Sequence, residues 1–324
     1  MIRLEPAGDR PIDVLTFGET LALFRSTGVG PLAHNTRFEL SVGGADSNVA
    51  IAVARLGGVS AWCGRVGADS FGDVILRELR AEGVQLHATI DPDAPTAHMV
   101  REVRTPALAR VTYARAGSAG SRITPADVPA EALRAAKILH VTGITPALSA
   151  SALETTLATV AAARSSGVVV SFDVNHRSSL WSPTDARAVY RRIARHADVV
   201  FAGEDEARLL LDESGAPEDL ARGIAGLGPT QVVIKLGSRG CLAFIDDVIL
   251  EAPGVSIDPV DTVGAGDAFV GGYLAELAVG CRAEQRVATA NSTGAFACLS
   301  AGDWSGLPRR TELALLAATE PVIR

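Results

Sequence analysis

The chain has 324 residues, of which 48% are hydrophobic and 21% charged, so it has the apolar material for a large core and excludes a disordered chain. Its formal net charge of −7 gives no general attraction to nucleic acid or to an anionic membrane. An anionic ligand must therefore be bound by a few individual cationic side chains. We expect small-molecule partners, with no nucleic acid and no membrane.

The four cysteines stand apart in apolar stretches and form no C-x-x-C pair, a pattern that favours buried free thiols in a reducing compartment. The first residues contain no apolar run of signal-peptide length, and no stretch approaches the roughly 18 apolar residues that span a bilayer. These features predict a cytoplasmic protein.

Short apolar runs alternate with longer runs of helical periodicity along most of the chain. Strands are predicted at residues 14–18, 60–66, 138–141, 168–172, 199–201, 232–235 and 241–245. Helices are predicted at residues 45–56, 71–82, 149–164, 185–195, 204–211, 265–279 and 284–299. This alternation predicts an α/β fold with a mainly parallel central sheet and helices on both of its faces.

Two segments, at about residues 20–42 and 92–116, interrupt the alternation. They lack a good helical pattern but contain strand-like pieces, at 37–42, 98–104 and 109–114. We expect the two insertions to meet in one small β-sheet that covers a cleft as a lid. The whole chain, residues 1–324, is then a single domain with this lid attached.

The common glycine-rich nucleotide signatures are absent, but the segment D-T-V-G-A-G-D at residues 261–267 precedes a long predicted helix. Small residues at a helix start leave backbone N–H groups open to an anion, which suits the charge on a phosphoryl group during transfer. Gly264, Ala265 and Gly266 would form this anion site, and Asp267 would lie in the first helical turn. The alternative is that Asp267 only caps the helix.

Two further segments carry polar groups in suggestive positions. Gly43 and Gly44 open a predicted helix and allow close approach of a ligand, and Asn48 on its first turns could bind sugar hydroxyls. Arg177 follows the apolar strand at 168–172, where open α/β sheets bind ligands, and could grip a carboxylate or phosphate. The alternatives are a glycine turn with a polar helix start and a solvated loop arginine.

Together these segments resemble the ribokinase-like (PfkB-type) carbohydrate kinases, in which a Gly-Gly sugar segment precedes a D-T-x-G-A-G-D segment. The stretches at 113–120, 139–149, 173–177 and 180–183 are most similar to 2-keto-3-deoxygluconate kinases. The resemblance implies a three-layer α/β/α sandwich with a small β-sheet lid, and ATP-dependent phosphorylation of the terminal hydroxyl of that sugar acid. A fructokinase- or ribokinase-like kinase of a neutral sugar, and a non-catalytic sugar or nucleotide sensor, are the alternatives.

The same resemblance implies roles for individual residues. Asp267 would be the catalytic base, with the backbone N–H groups of residues 265–267 around the transferred group. The implied sugar contacts are Gly43, Gly44, Asn48, Met99, Tyr113, Arg115, Ile144 and Arg177. The implied nucleotide contacts are Lys235, Gly237, Gly240, Gly264, Gly266 and Asn291. Arg115 is the expected partner of a substrate carboxylate, because a neutral sugar needs no arginine, and Arg177 could bridge sugar and phosphate.

Some positions depart from the family pattern. An Asn-x-x-Glu segment often organises Mg²⁺ through water, and here Glu206 stands in the acidic position while Gly203 replaces the asparagine. Met99 occupies a place that is often aromatic. The stretch 258–261 lies where some relatives bind K⁺, a candidate cofactor beside ATP and Mg²⁺. The exposed edge and face of the lid predict a homodimer that pairs lid to lid.

Overall fold

The computed structural model describes residues 11–105 and 108–317. The strands are β1 (Ile12–Phe17), β2 (Leu21–Ser26), β3 (Phe38–Gly43), β4 (Ser60–Gly67), β5 (Gln85–Asp91), β6 (His98–Thr105), β7 (Leu108–Ala114), β8 (Ala136–Thr142), β9 (Val169–Asp173), β10 (Val199–Gly203), β11 (Gln231–Lys235), β12 (Gly240–Ile245) and β13 (Val248–Pro253). The helices are α1 (Ala45–Arg55), α2 (Ser70–Ala81), α3 (Ala130–Ala135), α4 (Ala150–Ser165), α5 (Pro183–Ala194), α6 (Glu204–Leu211), α7 (Pro217–Ala225), α8 (Ala265–Ala278) and α9 (Ala283–Ala297).

Nine strands form a large sheet in the order β13-β12-β11-β10-β9-β8-β1-β4-β5. Every pairing from β11 through β5 is parallel, and only β12 and β13 run antiparallel to their neighbours. The inner strands β8 to β11 are almost wholly buried, as expected for continuous apolar runs covered on both faces. The predicted α/β class and the mainly parallel sheet are confirmed.

Helices cover both faces of this sheet, and the largest core clusters lie on either side of it. On one face α4 to α7 contribute to a cluster in which Phe172 and Tyr190 lie 5.9 Å apart between ring centroids. On the other face α1, α8 and α9 surround Phe201 and Tyr273, whose rings meet edge to face at 5.2 Å. This arrangement is a three-layer α/β/α sandwich, as the resemblance implied.

A second, four-stranded sheet has the order β3-β2-β6-β7, and its strands lie within the two segments that interrupt the α/β alternation. We call it the small sheet. Its inner face carries Leu23, Met99 and Tyr113, which are neighbours in the strand register. Its outer face exposes Phe38 by 40% and Leu40 by 48%. That the small sheet acts as a lid on a single domain stays a prediction.

Several elements were not predicted from the sequence. Strands β5 and β13 are edge strands with half-exposed side chains, so they lack the continuous apolar run that marks a central strand. Helix α3 has only six residues, too few for a helical period to be read. Strand β2 and helix α7 were also missed, although proline at the start of α7 is a usual helix signal.

Strand β1 lies between β8 and β4. The chain adds β4 and β5 on one side of β1 and later adds β8 and the strands after it on the other side, so the strand order reverses at β1. Such a switch point opens a crevice at the carboxyl ends of the strands, where open α/β sheets bind ligands. The loops after β1, β8 and β9 all reach this edge, because these three strands are parallel. The sheet topology therefore brings together residues near positions 18, 143 and 175.

Candidate active site

Asp267 lies in the first turn of α8, directly behind the predicted anion site. Gly264 is the residue before the helix and has a φ of 76°, a conformation that glycine adopts without strain. No side chain in the described ranges caps α8, so its first N–H groups remain open to a ligand. The N–H of Ala265 donates to the carbonyl of Thr262 at 3.3 Å, which leaves Gly266 and Asp267 as the freer donors.

Two amide side chains orient the carboxylate of Asp267. Asn48 donates from Nδ2 to Oδ2 at 2.8 Å, and Asn175 donates to Oδ1 at 3.4 Å. Burial raises the pKa of Asp267 to about 6, although the hydrogen bond from Asn48 and the charge of Arg177 act in the opposite direction. Asn48, expected to contact sugar, thus holds the carboxylate of the predicted base, and its own Oδ1 has no partner within residues 11–105 and 108–317.

The glycine pair makes room for a carboxylate that was not predicted from the sequence. A Cβ on Gly43 would lie 2.4 Å from Oδ2 of Asp303 and 3.1 Å from Cε of Met99, so a side chain there would displace one of these two groups. Burial raises the pKa of Asp303 to about 7, and the nearby charge of Asp267 adds to this. The only sequence signal for Asp303 is its position after Gly302, beyond the last long helix. Asp303 belongs to the site because the fold places its carboxylate beside Gly43.

Arg115, the residue after β7, is already paired. Its Nε and Nη2 approach Oε2 of Glu19 at 2.8 and 2.7 Å, and its guanidinium stacks over the ring of Tyr113 at 5.1 Å. The carboxylate of Glu19 is buried and also accepts from the hydroxyl of Ser118. Arg115 was expected to be a free cation, but it forms an ion pair with Glu19 that fixes the orientation of its guanidinium. Glu19 was not predicted from the sequence. It follows β1 at the carboxyl edge of the sheet, and the same argument about strand ends led to the prediction of Arg177 after β9.

A third buried carboxylate lies beneath the site. Oδ2 of Asp46 accepts hydrogen bonds from the hydroxyls of Thr142 and Thr145 at 3.3 and 3.2 Å. Burial raises the pKa of Asp46 to about 8, the bond from Thr145 lowers it, and the charge of Asp267 raises it further. Ile144, an expected sugar contact, is half-buried beside Thr145 at the end of β8. Asp46 is thus held largely protonated at neutral pH, which limits the negative charge around the base.

Two cationic side chains, those of Arg177 and Lys235, border the same cavity as Asp267. Arg177 is exposed, and no carboxylate pairs with it in the described part of the chain; its Nη1 donates to the carbonyl of His176 at 3.2 Å. Lys235 donates to both carboxylate oxygens of Asp173 at 2.8 and 2.7 Å. Burial alone would lower the pKa of Lys235, but the charges of Asp173 and Glu206 raise it. Lys235 therefore stays charged, and it borders the same cavity as Arg177 and the N-terminus of α8.

These groups line a cleft made of two adjoining cavities. One, of about 660 Å³, is bordered by Arg177, Gly264, Gly266 and Asp267. The other, of about 520 Å³, shares Lys235, Gly237 and Gly266 with it and continues to Gly240 and Asn291. Its walls include the apolar side chains of Val255, Ile257, Phe269 and Ala295. The pair of cavities fits an elongated ligand with an anionic end near α8 and a flat apolar end beyond.

Asn291 has a structural role in this cleft. Its side-chain amide donates to the carbonyls of Ala252 and Pro253 at 3.2 and 3.1 Å. It thereby ties α9 to the end of the edge strand β13, directly before the wall residues Gly254 and Val255. Because Nδ2 is engaged in these two hydrogen bonds, a nucleotide would contact the other atoms of the Asn291 side chain.

Glu206 is the expected metal residue, and both of its oxygens already accept backbone hydrogen bonds. Oε1 accepts from the N–H of His176 at 2.9 Å and Oε2 from that of Gly203 at 2.7 Å. Within the described ranges, no group of three or more His, Cys, Asp or Glu side chains could hold a metal directly. Each carboxylate oxygen retains a second lone pair, so Glu206 fits a metal held through water.

Comparisons with known proteins agree with this geometry. The model of the pfkB family carbohydrate kinases matches residues 12–310. The 2-dehydro-3-deoxygluconokinase of Bacillus subtilis (strain 168) is 38% identical, over 94% of this chain and 94% of that protein. The 2-dehydro-3-deoxygalactonokinase of Haloferax volcanii is 34% identical, over 90% of this chain and 92% of that protein.

Among solved structures, a double-mutant fructokinase from Vibrio cholerae O395 with fructose, ADP and potassium ion bound has a TM-score of 0.82 and 30% identity, over 95% of this chain and 99% of that one. A carboxylate at the N-terminus of a helix, beside a cavity that suits an anion, is consistent with a phosphotransferase that has an alcohol group as acceptor. The chain belongs to the pfkB family of carbohydrate kinases.

In the part of the chain that the structure describes, no helix combines the length and the apolar character needed to cross a membrane.

Proposed function

We propose that this kinase phosphorylates the terminal hydroxyl of 2-keto-3-deoxygluconate, also called 2-dehydro-3-deoxygluconate, or of a similar sugar acid, with ATP as donor. The observation that carries the proposal is Arg115, which Glu19 and Tyr113 hold in place. The backbone of Glu19 lies against Gly44, and Tyr113 is the register neighbour of Met99, whose Cε lies beside Gly43. Two of its N–H groups meet Glu19, so Nη1 is left for a substrate carboxylate. The names of the two relatives described above support the same substrate class.

In the proposed reaction Asp267 accepts the proton of the sugar hydroxyl as its oxygen attacks the γ-phosphorus of ATP. The new O–P bond forms while the bond between the γ-phosphorus and the bridging oxygen breaks, and ADP leaves with that electron pair. With a pKa of about 6, Asp267 is largely ionised at neutral pH and can act as the base. The N–H groups of Gly266 and Asp267 stabilise the negative charge on the transferred group.

The two cavities give ATP a place beside this centre. Its phosphates would lie near Lys235, Arg177 and the N-terminus of α8, and its base in the apolar cavity that Gly237 and Gly240 border. Glu206 would hold Mg²⁺ through water, and a bound Mg²⁺ would neutralise charge on the phosphates. The potassium ion stays a prediction from the resemblance, because Asp261, in the stretch concerned, already pairs with Arg101.

We also propose that the small sheet is the lid of this site and that its outer face joins two copies of the chain. Helix α2 covers part of that face, where Phe24 packs edge to face on Phe71 at 5.5 Å. Beyond α2 the outer face leaves Phe38 and Leu40 exposed on β3, an edge strand. A second copy would cover both the apolar side chains and the strand edge.

A kinase of a neutral sugar is the second candidate, and one observation favours it. The buried carboxylate of Glu19 already neutralises Arg115, so the pocket does not strictly need an acidic ligand. The two candidates differ in whether Nη1 of Arg115 meets a substrate carboxylate. A substitution of Arg115 therefore separates them.

The deciding experiment is a coupled ADP-release assay with Mg-ATP on 2-keto-3-deoxygluconate, 2-keto-3-deoxygalactonate, fructose and ribose. We expect a ketodeoxy acid to exceed the neutral sugars by about 100-fold in kcat/KM, or about 2.7 kcal/mol. Arg115→Met should raise KM for the acid far more than for fructose. Arg110→Met, on the exposed side of β7, is the matched control. A neutral sugar that wins the comparison would refute the substrate while leaving the kinase intact.

A further inference from the structure

An ion pair joins the small sheet to the segment that leads into the anion site. Arg101 on β6 donates from Nη1 to Oδ2 of Asp261 at 2.5 Å and from Nη2 to Oδ1 at 2.6 Å. Both side chains are buried, with 10% and 7% of their surface exposed. The two partners are 160 positions apart in the sequence. A two-pronged, buried pair of this kind fixes geometry as well as charge.

Asp261 passes this restraint on to both sides of the catalytic pocket. Its Oδ1 accepts the N–H of Val263 at 3.1 Å, and its Oδ2 accepts that of Gly302 at 3.2 Å. Val263 precedes Gly264 and the anion site, whereas Gly302 precedes Asp303. A Cβ on Gly264 would lie 1.8 Å from the carbonyl oxygen of Asp303, so these two segments pack without slack. A shift of Asp261 would therefore move the anion site and Asp303 together.

The same strand carries a contact to the sugar side of the pocket. Met99 and Arg101 are two residues apart on β6 and therefore point to the same, inner face of the small sheet. Met99 reaches the pocket of Gly43 and Asp303. Beyond Arg101, a cavity of about 730 Å³ separates the inner face from residues 259–263. Beyond Met99, the small sheet is therefore joined to residues 259–263 by the Arg101–Asp261 ion pair and not by continuous packing.

We propose that Arg101 is a positioning residue that couples the seating of the small sheet over the sugar to the alignment of the anion site at the start of α8. The proposal rests on the proposed function in one respect, that the small sheet covers the sugar. When β6 is seated, Arg101 neutralises Asp261 and holds residues 261–264 in place. When β6 lifts, a buried carboxylate loses its partner and the segment is released.

The test compares Arg101→Met and Arg101→Lys with the wild type, using whichever sugar the wild type phosphorylates best. We expect Arg101→Met to lower kcat by about 100-fold, or about 2.7 kcal/mol, with KM for ATP changed by less than about threefold. Guanidinium ion at millimolar concentration should restore much of the loss, because it can occupy the vacated place beside Asp261. Arg101→Lys keeps the positive charge but cannot donate two parallel hydrogen bonds to Asp261, so its kcat should fall by about tenfold.

Arg25→Met is the matched control. Arg25 is the register neighbour of Arg101 on β2, and its ion pair with Glu39 lies wholly within the small sheet. This variant removes a similar charge pair from the same sheet without touching residues 261–264, so its kcat should stay within about threefold of the wild type. An equal loss in Arg25→Met, or normal kcat in Arg101→Met, would overturn the proposal. A loss that neither guanidinium nor lysine relieves would also overturn it.

Amide hydrogen exchange gives a readout that needs no sugar. In Arg101→Met and Arg101→Lys, the N–H groups of Val263 and Gly302 should exchange faster than in the wild type, and in Arg25→Met they should not. Unchanged exchange in both Arg101 variants would refute the coupling even if activity fell. If the wild type accepts no sugar acid, the proposed substrate fails, whereas the exchange result still decides on Arg101.

Discussion

Three carboxylates, those of Asp46, Asp267 and Asp303, have raised pKa values chiefly because they are buried. The charge of Asp267 raises the pKa of the other two further. Asp267 has the lowest pKa of the three, about 6. Hydrogen bonding from Asn48 selects Asp267 as the carboxylate that is ionised at neutral pH.

At the residue scale we predict that kcat/KM falls as pH drops through about 6. The base works only when ionised, and a raised pKa moves its protonation into this range from that of an ordinary carboxyl group. Asp267→Asn should lower kcat by about 10²–10⁴-fold and remove that pH step, with little change in ATP affinity. A pH–rate profile measures both effects.

Asp93→Asn is the control, because this residue is exposed in the turn after β5 and borders neither cavity of the cleft. If Asp267→Asn retained kcat near the wild-type value, another group would have to be the base.

At this scale the sequence predicted residues that stand in a motif and missed those that stand alone. Asp267, Gly264 and the Gly43–Gly44 pair are marked by glycines whose backbone or space requirements the structure confirms. Glu19 and Asp303 carry no such local mark. Their importance arises from neighbours that are distant in the sequence, Arg115 for one and Gly43 for the other.

At the scale of elements, the start of α8 depends on one backbone conformation. Gly264 has a φ of 76°, and a side chain there would also meet the carbonyl of Asp303. Gly264→Ala should therefore displace the first N–H groups of α8 from the anion site. We expect kcat to fall by about 100-fold and the free energy of unfolding by about 2–4 kcal/mol, measured by kinetics and by urea unfolding.

The matched control lies just beyond the other end of the same helix. Gly280 has a φ of 75°, and no atom lies within 4 Å of the place where its Cβ would be. Gly280→Ala carries the same backbone strain without the clash, so it should cost only about 1 kcal/mol and leave kcat intact. Equal kcat values for the two variants would show that the placement of α8 does not govern the transfer step.

Elements were predicted well where their periodicity is continuous and poorly where they are short or at an edge. The long helices α8 and α9 and the buried strands β9 to β11 carry strong patterns in their own residues. The edge strands β5 and β13 do not, since one side of each faces away from the sheet and their side chains are half exposed. Their place in the sheet depends on the partner strand, which a local pattern does not contain.

At the scale of the whole molecule, the outer face of the small sheet predicts association. Leu40→Lys should turn the proposed homodimer into a monomer, because it puts a charge on the exposed apolar part of that face. Light scattering at micromolar concentration measures the mass, with Val279→Lys as a control on an exposed apolar residue of the main body, 62% exposed against 48% for Leu40. A wild-type chain that is monomeric under these conditions would contradict the prediction.

The sequence alone determined the α/β class, the glycine-rich segment at 261–267 and the kinase family, because these depend on local periodicity and on residues adjacent in the chain. Only the tertiary structure decided that Asn48 holds Asp267, that Glu19 neutralises Arg115, and that Arg101 ties the small sheet to Asp261. The partners in these pairs are 219, 96 and 160 positions apart. Charge pairing and burial depend on distance in space, which the sheet order sets and the order of residues does not.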